Sequence, residues 1–422
     1  MGISEGGTDA RSHGFPVDWA AVALEDVTPP NRKNGIVDGP FGSNLKSIHY
    51  RKSGVPIITS GFVTEGVFHA EKYDYVDHSK FLEERRSAVS AGDIVMAKIG
   101  ERCGASAVMP HGHEPGILSG NALKITVDEA RYSTTYIWHV LWNSHKTGKL
   151  EGLRTVGAQP ALSMASLKKF KIPVPPTKAE QQAIATALSD ADAYIESLEQ
   201  LITKKRQIKQ GVMQDLLTGK RRLPGFEGEW KARSIGELAR LMNGYAFKSQ
   251  TYDAGGQYSV ITIANVQDGW MDVSECSKVV ALPTDLQSHQ LLKIGDILVS
   301  LTGNVGRVCR VSQPECLLNQ RVGKILAYDV DEDFLFWVLR NRSFLNAMMA
   351  RAAGGAQPNL SKYDILEYEV NLPNNRDEQS AIASVLTDIQ GELDLLALKL
   401  SKARHLKEAM MQQLLTGKIR LV

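Results

Sequence analysis

Between residues 178 and 217, apolar or small side chains stand at Ile184, Leu188, Ala191, Ile195, Leu198 and Ile202, then at Val212 and Leu216. Up to Ile202 the steps alternate between four and three, so these side chains share one stripe of an α-helix, the spacing of a coiled-coil seam. A second stretch repeats the pattern with Ile382, Leu386, Ile389, Leu393, Leu396, Leu400, Ala403, Met410 and Leu414. Each predicts a helix of about 40 residues, roughly 60 Å long at 1.5 Å per residue. Such a helix cannot bury its stripe alone, and the other copy offers a matching one. Gly211 is the weak point of the first helix, costing ~1 kcal/mol against alanine.

Charge suggests how the two helices pair. The first half of each is acidic (Glu180, Asp190, Asp192, Glu196, Glu199; Asp377, Glu378, Asp388, Glu392, Asp394), and the second half is basic (Lys204, Lys205, Arg206, Lys209; Lys399, Lys402, Arg404, Lys407). Parallel packing sets like charges side by side, whereas antiparallel packing sets acid against base and opposes the helix dipoles. The pattern predicts an antiparallel pair.

The segments ahead of the helices alternate differently. VPIITS, GDIVMAK and NALKITV in the first, and YSVITIANV, GDILVSL and GKILAY in the second, read as strands. TTYIWHVLWNSHKTGKL and DFLFWVLRNRSFLNAMMARA read as amphipathic helices late in each front. The prediction is two mixed α/β domains joined by two long helices.

The chain is an internal duplication. GAQPALS at 157–163 returns as GAQPNLS at 355–361, a shift of 198. At that same shift EQQAIATALSDAD meets EQSAIASVLTDIQ, and MQDLLTGKRRL meets MQQLLTGKIRL, without a gap. Further forward the shift drifts: SAGDIVMAKIG answers KIGDILVSLTG at 203 and GFPVDW answers GFEGEW at 211. Each copy therefore has a variable front and a fixed back, giving the whole a pseudo-two-fold relation.

Composition narrows the class without naming it. A chain of 422 residues, 43% hydrophobic and 23% charged, is that of a globular protein with two or more domains. No apolar run approaches the ~18–20 residues of a membrane span. The opening MGISEGGTDARSHG lacks an apolar signal region and reads as a mobile tail. Four cysteines without a CxxC spacing indicate neither zinc nor a disulfide framework and suit a reducing cytoplasm. A net charge of +2 permits nucleic-acid binding without arguing for it.

The order and repetition of GPFGSNLKS (39–47), GDIVMAKIG, GAQPALS, PPTKAEQQAIA and LLTGKRRL, most with a second-copy partner, resemble the specificity (S) subunit of type I restriction-modification enzymes. The resemblance runs from Phe15 to Val422. It implies a mobile tail at 1–14, target recognition domains at 15–173 and 226–372, and helix-bearing repeat regions at 174–225 and 373–422. It further implies a non-catalytic subunit that reads a split, asymmetric double-stranded DNA site and directs adenine methylation and DNA cleavage. Two methyltransferase (M) subunits and motor-nuclease (R) subunits would carry S-adenosylmethionine, ATP and Mg, with no cofactor on this chain.

Residues identical in both copies serve a job common to both halves. Gln159, Pro160, Gln357 and Pro358 are therefore expected in scaffold or partner contacts. Readers of unlike half-sites should lie where the copies diverge, and Arg, Lys, Asn and Gln are the usual choices for base edges. The candidates are Lys46, Lys98, Arg102 and Arg154 in the first front, and Lys248, Asn304, Arg307, Asn319, Gln320 and Arg321 in the second. Ser43 and Ser249 are candidate phosphate donors. For the Lys, Arg, Asn and Gln candidates a phosphate contact or a solvated surface position is the plainer alternative, and for the two serines it is turn capping.

Catalytic signatures are missing from the sequence. Each Gly-Lys pair lacks the Ser or Thr of a Walker A loop, and no Asn/Asp-Pro-Pro-aromatic stretch occurs. HGH at 111–113 is a lone pair in a Gly/Pro loop and reads as structural, and Met213 and Met411 read as core fillers. A coiled-coil scaffold carrying two protein-binding domains, with no DNA role, is the competing class.

Overall fold

The computed structural model describes residues 16–31, 34–40, 42, 44–155, 159–353 and 358–421. The tail at 1–14, Ser43, Gln357 and part of each GAQP stretch lie outside the described residues. The chain forms two units, Met1–Leu198 with Lys399–Val422, and Glu199–Leu398.

In unit 1 the strands are β1 (Ala20–Ala23), β2 (Ile36–Asp38), β3 (Val55–Ile58), β4 (Val63–Thr64), β5 (Val67–Phe68), β6 (Tyr75–Val76), β7 (Ala88–Val89), β8 (Ile94–Ala97), β9 (Ser106–Val108), β10 (Gly116–Leu118), β11 (Ala122–Ile125) and β12 (Lys171–Val174). The helices are α1 (His78–Glu83), α2 (Thr134–Lys146), α3 (Met164–Lys168) and α4 (Lys178–Leu217), the last continuing into unit 2. One four-stranded sheet has the order β2-β11-β8-β9, a second has β6-β3-β10-β7, and β1 pairs with β12. Only β3–β10 among the pairs of that second sheet is parallel.

Unit 2 holds β13 (Trp230–Ser234), β14 (Ala239–Asn243), β15 (Tyr258–Ile261), β16 (Ser277–Val279), β17 (Leu291–Leu292), β18 (Ile297–Ser300), β19 (Val308–Arg310), β20 (Cys316–Leu318), β21 (Val322–Ala327) and β22 (Glu369–Pro373). Its helices are α5 (Ile235–Leu238), α6 (Glu332–Leu339), α7 (Arg342–Arg351), α8 (Lys362–Leu366) and α9 (Arg376–Leu414), which continues into unit 1. The orders β14-β21-β18-β19 and β16-β15-β20-β17, with β13 on β22, repeat those three sheets of unit 1 strand for strand, including the parallel pair β15–β20, while the small β4-β5 sheet belongs to unit 1 alone among the described residues. The duplication read from sequence is therefore a duplication of topology.

The central strands explain themselves by burial. Every residue of β8 and of β18 is buried, as expected for strands covered on both faces. A buried ion pair ties each central sheet: Lys124 Nζ to Asp93 at 3.2 Å, and Lys324 Nζ to Asp296 at 2.6 Å.

Within each unit the long helices run antiparallel. In unit 1, Asp192 of α4 pairs with Lys407 of α9. Glu180 at the start of α4 is clamped by Arg420 from beyond the end of α9, one bond being 2.7 Å. In unit 2, Glu392 of α9 pairs with Lys205 of α4. There Glu378 takes a two-pronged bond from Arg222 at 2.9 and 2.6 Å. The repeated Glu-Gln pair thus has one job per residue. The glutamate receives the arginine, while Gln181 accepts the Ser133 N–H at 2.9 Å and Gln379 accepts the Asp331 N–H at 2.8 Å, fixing the N-termini of α2 and α6.

The seam is less uniform than its spacing predicts. Ile184 and Leu188 are fully buried in the unit 1 core with Met411 and Leu414. Ile382 and Leu386 are likewise buried in the unit 2 core with Leu216. Leu198, Ile202 and Leu393 are buried, whereas Ile195, Leu396 and Leu400 are half-buried. Each helix therefore buries its outer turns in globular cores, and only the middle turns rely on the helical partner. The single helix expected over 333–352 is two: it breaks at Arg340–Asn341, where the Asn341 side chain accepts the Ser343 N–H at 2.9 Å and caps α7.

Candidate nucleic-acid interface

Three segments meet at one edge of each unit. In unit 1 they follow β2 (39–46), follow β8 (98–104) and join β10 to β11 (119–121). Gly39 comes so close to the 119–121 turn that a β-carbon would sit 2.0 Å from the Ser119 carbonyl oxygen. The Lys98 N–H donates to the Asn121 carbonyl at 2.9 Å, closing the frame. Unit 2 builds the same frame: a β-carbon on Gly244 would lie 2.1 Å from the Asn319 carbonyl oxygen, and the Leu301 N–H donates to the Arg321 carbonyl at 3.0 Å.

Segments 160–163 and 358–361 of the duplicated heptapeptide bond to this frame through their backbone. The Pro160 carbonyl accepts the Gly100 N–H at 2.9 Å, and the Leu162 N–H donates to the Lys98 carbonyl at 2.9 Å. Pro358 accepts the Gly303 N–H at 3.0 Å, and the Leu360 N–H donates to Leu301 at 2.7 Å. Gly100 and Gly303 take φ of +98° and +68°, the left-handed region that favours glycine. Pro160 and Pro358 act here through backbone carbonyls, and Gln159 is exposed beside them.

On this frame the candidate readers differ in freedom. Lys46 and Arg102 are exposed. Lys98 is mostly covered and bonded to Asp38 at 2.6 Å, a carboxylate that also meets Arg86 at 3.2 Å, so its charge is answered inside the fold. Arg154 is turned inward, donating to the Cys103 carbonyl at 2.9 Å, with its Nε buried and unpartnered. It braces the 98–104 loop from below. Burial raises the Cys103 thiol despite the nearby Arg154.

In unit 2, Lys248, Ser249, Asn304, Gln320 and Arg321 are exposed. Asn319 is buried, and its side-chain oxygen accepts the Arg321 N–H at 3.2 Å, shaping the turn that presents its two neighbours. Arg307 is half-buried and donates to Gln267 at 2.8 Å. Tyr245, in the loop after β14, donates its hydroxyl to Asp285 at 2.8 Å, and that hydrogen bond raises its phenol.

Sequence reasoning singled out Asn319, Gln320 and Arg321 but passed over their unit 1 counterparts, Ser119, Gly120 and Asn121. Matching GILSGNALKI to CLLNQRVGKI would have shown them. Asn121 accepts the Ser60 N–H at 3.2 Å and the Ser119 hydroxyl, so this turn is also held by its own side chains. His113 of the HGH stretch is engaged by the Tyr73 hydroxyl at 2.7 Å and the Glu114 carbonyl at 2.6 Å. No helix among the described residues is long and apolar enough to cross a membrane.

Two units with one topology, each presenting unlike loops on a shared frame, define a duplicated recognition protein. A family profile for the type I restriction modification DNA specificity domain matches residues 16–210 and again 227–403, and the chain belongs to that family. The MjaVIII specificity subunit of Methanocaldococcus jannaschii is 25% identical over 440 residues, covering 97% of this chain and 95% of that one. The putative MjaX specificity subunit of the same organism is 25% identical, covering 96% and 95%. Among solved structures, the S subunit of the type I system from M. genitalium superposes with a TM-score of 0.60 at 15% identity, over 94% of this chain and 96% of that one. The S subunit from Thermoanaerobacter tengcongensis gives 0.50 at 17% identity, over 96% and 98%.

Proposed function

We propose that this chain directs a type I restriction-modification assembly to an asymmetric two-part DNA site, unit 1 reading one half and unit 2 the other. The observation that carries this reading is the pairing of a common frame with unlike loops. Pro160 and Pro358 hold equivalent turns, yet the turns display Glu101-Arg102 in one unit and Asn304 in the other. Side chains on such turns reach base edges while shared backbone sets their register.

The chain does no chemistry itself in this reading. Two methyltransferase subunits bring S-adenosylmethionine, and motor-nuclease subunits bring ATP and Mg, all in the cytoplasm. Adenine methylation mapped in cells with and without the gene tests the assignment. Exchanging residues 226–372 for the corresponding part of another family member should rewrite one half of the methylated motif. Rewriting of both halves would refute the division of labour.

A further inference from the structure

The two units part company beside the long helices. Unit 2 has a half-open groove of about 980 Å³ lined by α4, by α9 and by the break between α6 and α7. Arg206, Lys209, Arg307, Arg340 and Arg342 line it, against two carboxylates, Asp268 and Asp394. At the matching positions of unit 1 the excess of positive charge is absent. Arg404 and Lys407 remain, but Arg340 is replaced by Trp142, Arg342 by Ser144 and Arg307 by Ala105. Gln390 becomes Asp192 and Gln210 becomes Glu408. A partner gripping both halves alike would not require such a difference, so the groove serves something particular to unit 2.

Its cations are poorly neutralised. Lys407 in unit 1 has Asp192, whereas Lys209 donates to the neutral amide of Gln390. The Lys209 ammonium lies 4.8 Å above the centre of the Trp337 ring, and the Arg340 guanidinium lies 4.9 Å from the same centre. Arg340 has one carboxylate, Asp268, at 3.4 Å. Arg206 and Arg342 form no ion pair among the described residues. Burial, and then repulsion from Arg340, hold the Lys209 ammonium down to about 8, the signature of a site short of negative charge.

We propose that this groove binds phosphate groups, with Arg206, Lys209, Arg340 and Arg342 as their ligands. Guanidinium forks match phosphate oxygens two at a time, and a groove of this volume admits a compact polyphosphate. The phosphates come either from a free polyanion or from the backbone of duplex DNA, and the test separates these sources.

The full-length protein is titrated calorimetrically with sodium pyrophosphate and, separately, with a duplex of unrelated sequence across a salt series. Arg206→Gln with Arg342→Gln, both exposed positions, is compared with wild type after unfolding curves show equal stability. Saturable pyrophosphate binding that weakens at least tenfold in the double variant identifies a free polyanion. Loss confined to the duplex, with a salt dependence shallower by about two phosphate contacts, identifies the DNA backbone. Arg404→Gln, at the matching unit 1 position, should change neither. The proposal fails if wild type and double variant bind both probes alike, or if Arg404→Gln causes an equal loss.

Discussion

His139 offers a sharp test of how the front of unit 1 is locked to its long helix. The ring is fully buried on α2, with Nε2 3.4 Å from the Ser189 hydroxyl of α4 and Nδ1 buried without a well-formed partner. Burial, and then the Lys407 ammonium, hold its pKa down to about 3 from 6.5, with only partial relief from the Ala185 carbonyl. A base with a depressed folded pKa takes up its proton in the unfolded chain first. Stability is therefore complete above about pH 6.5 and falls as pH drops toward 3, by ~1.4 kcal/mol per pH unit. At pH 5 the penalty comes to about 2 kcal/mol.

His139→Phe removes this titration while keeping a flat ring in the same space. Urea unfolding of both proteins at pH 7.5 and 5.0, followed by tryptophan emission, to which Trp19, Trp138 and Trp142 of unit 1 contribute alongside those of unit 2, measures the effect. The carboxylates titrate alike in both proteins and cancel in the comparison. On going from pH 7.5 to 5.0 the variant should gain about 2 kcal/mol relative to wild type. A relative gain below about 0.5 kcal/mol would show that the imidazole protonates inside the fold, and the reasoning would be refuted. Trp337 holds the matching place in unit 2 and donates to Thr387 at 3.1 Å, so that unit lacks this acid sensitivity.

Gly211 lies exposed within α4, and a β-carbon there would meet nothing within 4 Å, so Gly211→Ala should raise stability by up to ~1 kcal/mol in a denaturant titration. Arg222→Ala strips a fully buried Glu378 of its two-pronged partner and should lower the unfolding midpoint in the same measurement. Arg222→Lys should restore only part of that, because an ammonium cannot make the fork.

Much of this was legible because it depends on periodicity and repetition. The three-four spacing from Ile184 to Ile202 gave the helix, and opposed charges such as Asp192 and Lys407 gave its pairing. What stayed hidden depends on three-dimensional neighbours. Lys98 reads as an available cation until Asp38, sixty residues earlier, is brought alongside it. Arg154 reads as a surface arginine until the Cys103 carbonyl appears beneath it. The break at Asn341 needed the recognition that Asn-Arg-Ser is a better cap than helix interior, a local signal outweighed in the sequence by the apolar run on either side.

The repeat also inverts the usual weighting of residues. Pro160 and Pro358 recur because each carbonyl receives the N–H of a turn glycine, a contact indifferent to which side chains the turn carries. The adjoining positions are free to differ for that reason: Arg102 and Asn304 are exposed on turns whose backbones are held by the same bonds. Substituting a projecting residue should alter which DNA is read while leaving stability within about 0.5 kcal/mol, since such surface positions contribute little to the fold. Substituting Gly100 by alanine forces a side chain onto a φ of +98° and should disturb the whole turn, at a cost of about 1 kcal/mol or more. Methylation patterns and unfolding curves of Arg102→Ala and Gly100→Ala, measured side by side, distinguish the two roles. Equal loss of stability in both would mean that the turn and what it displays are not separable.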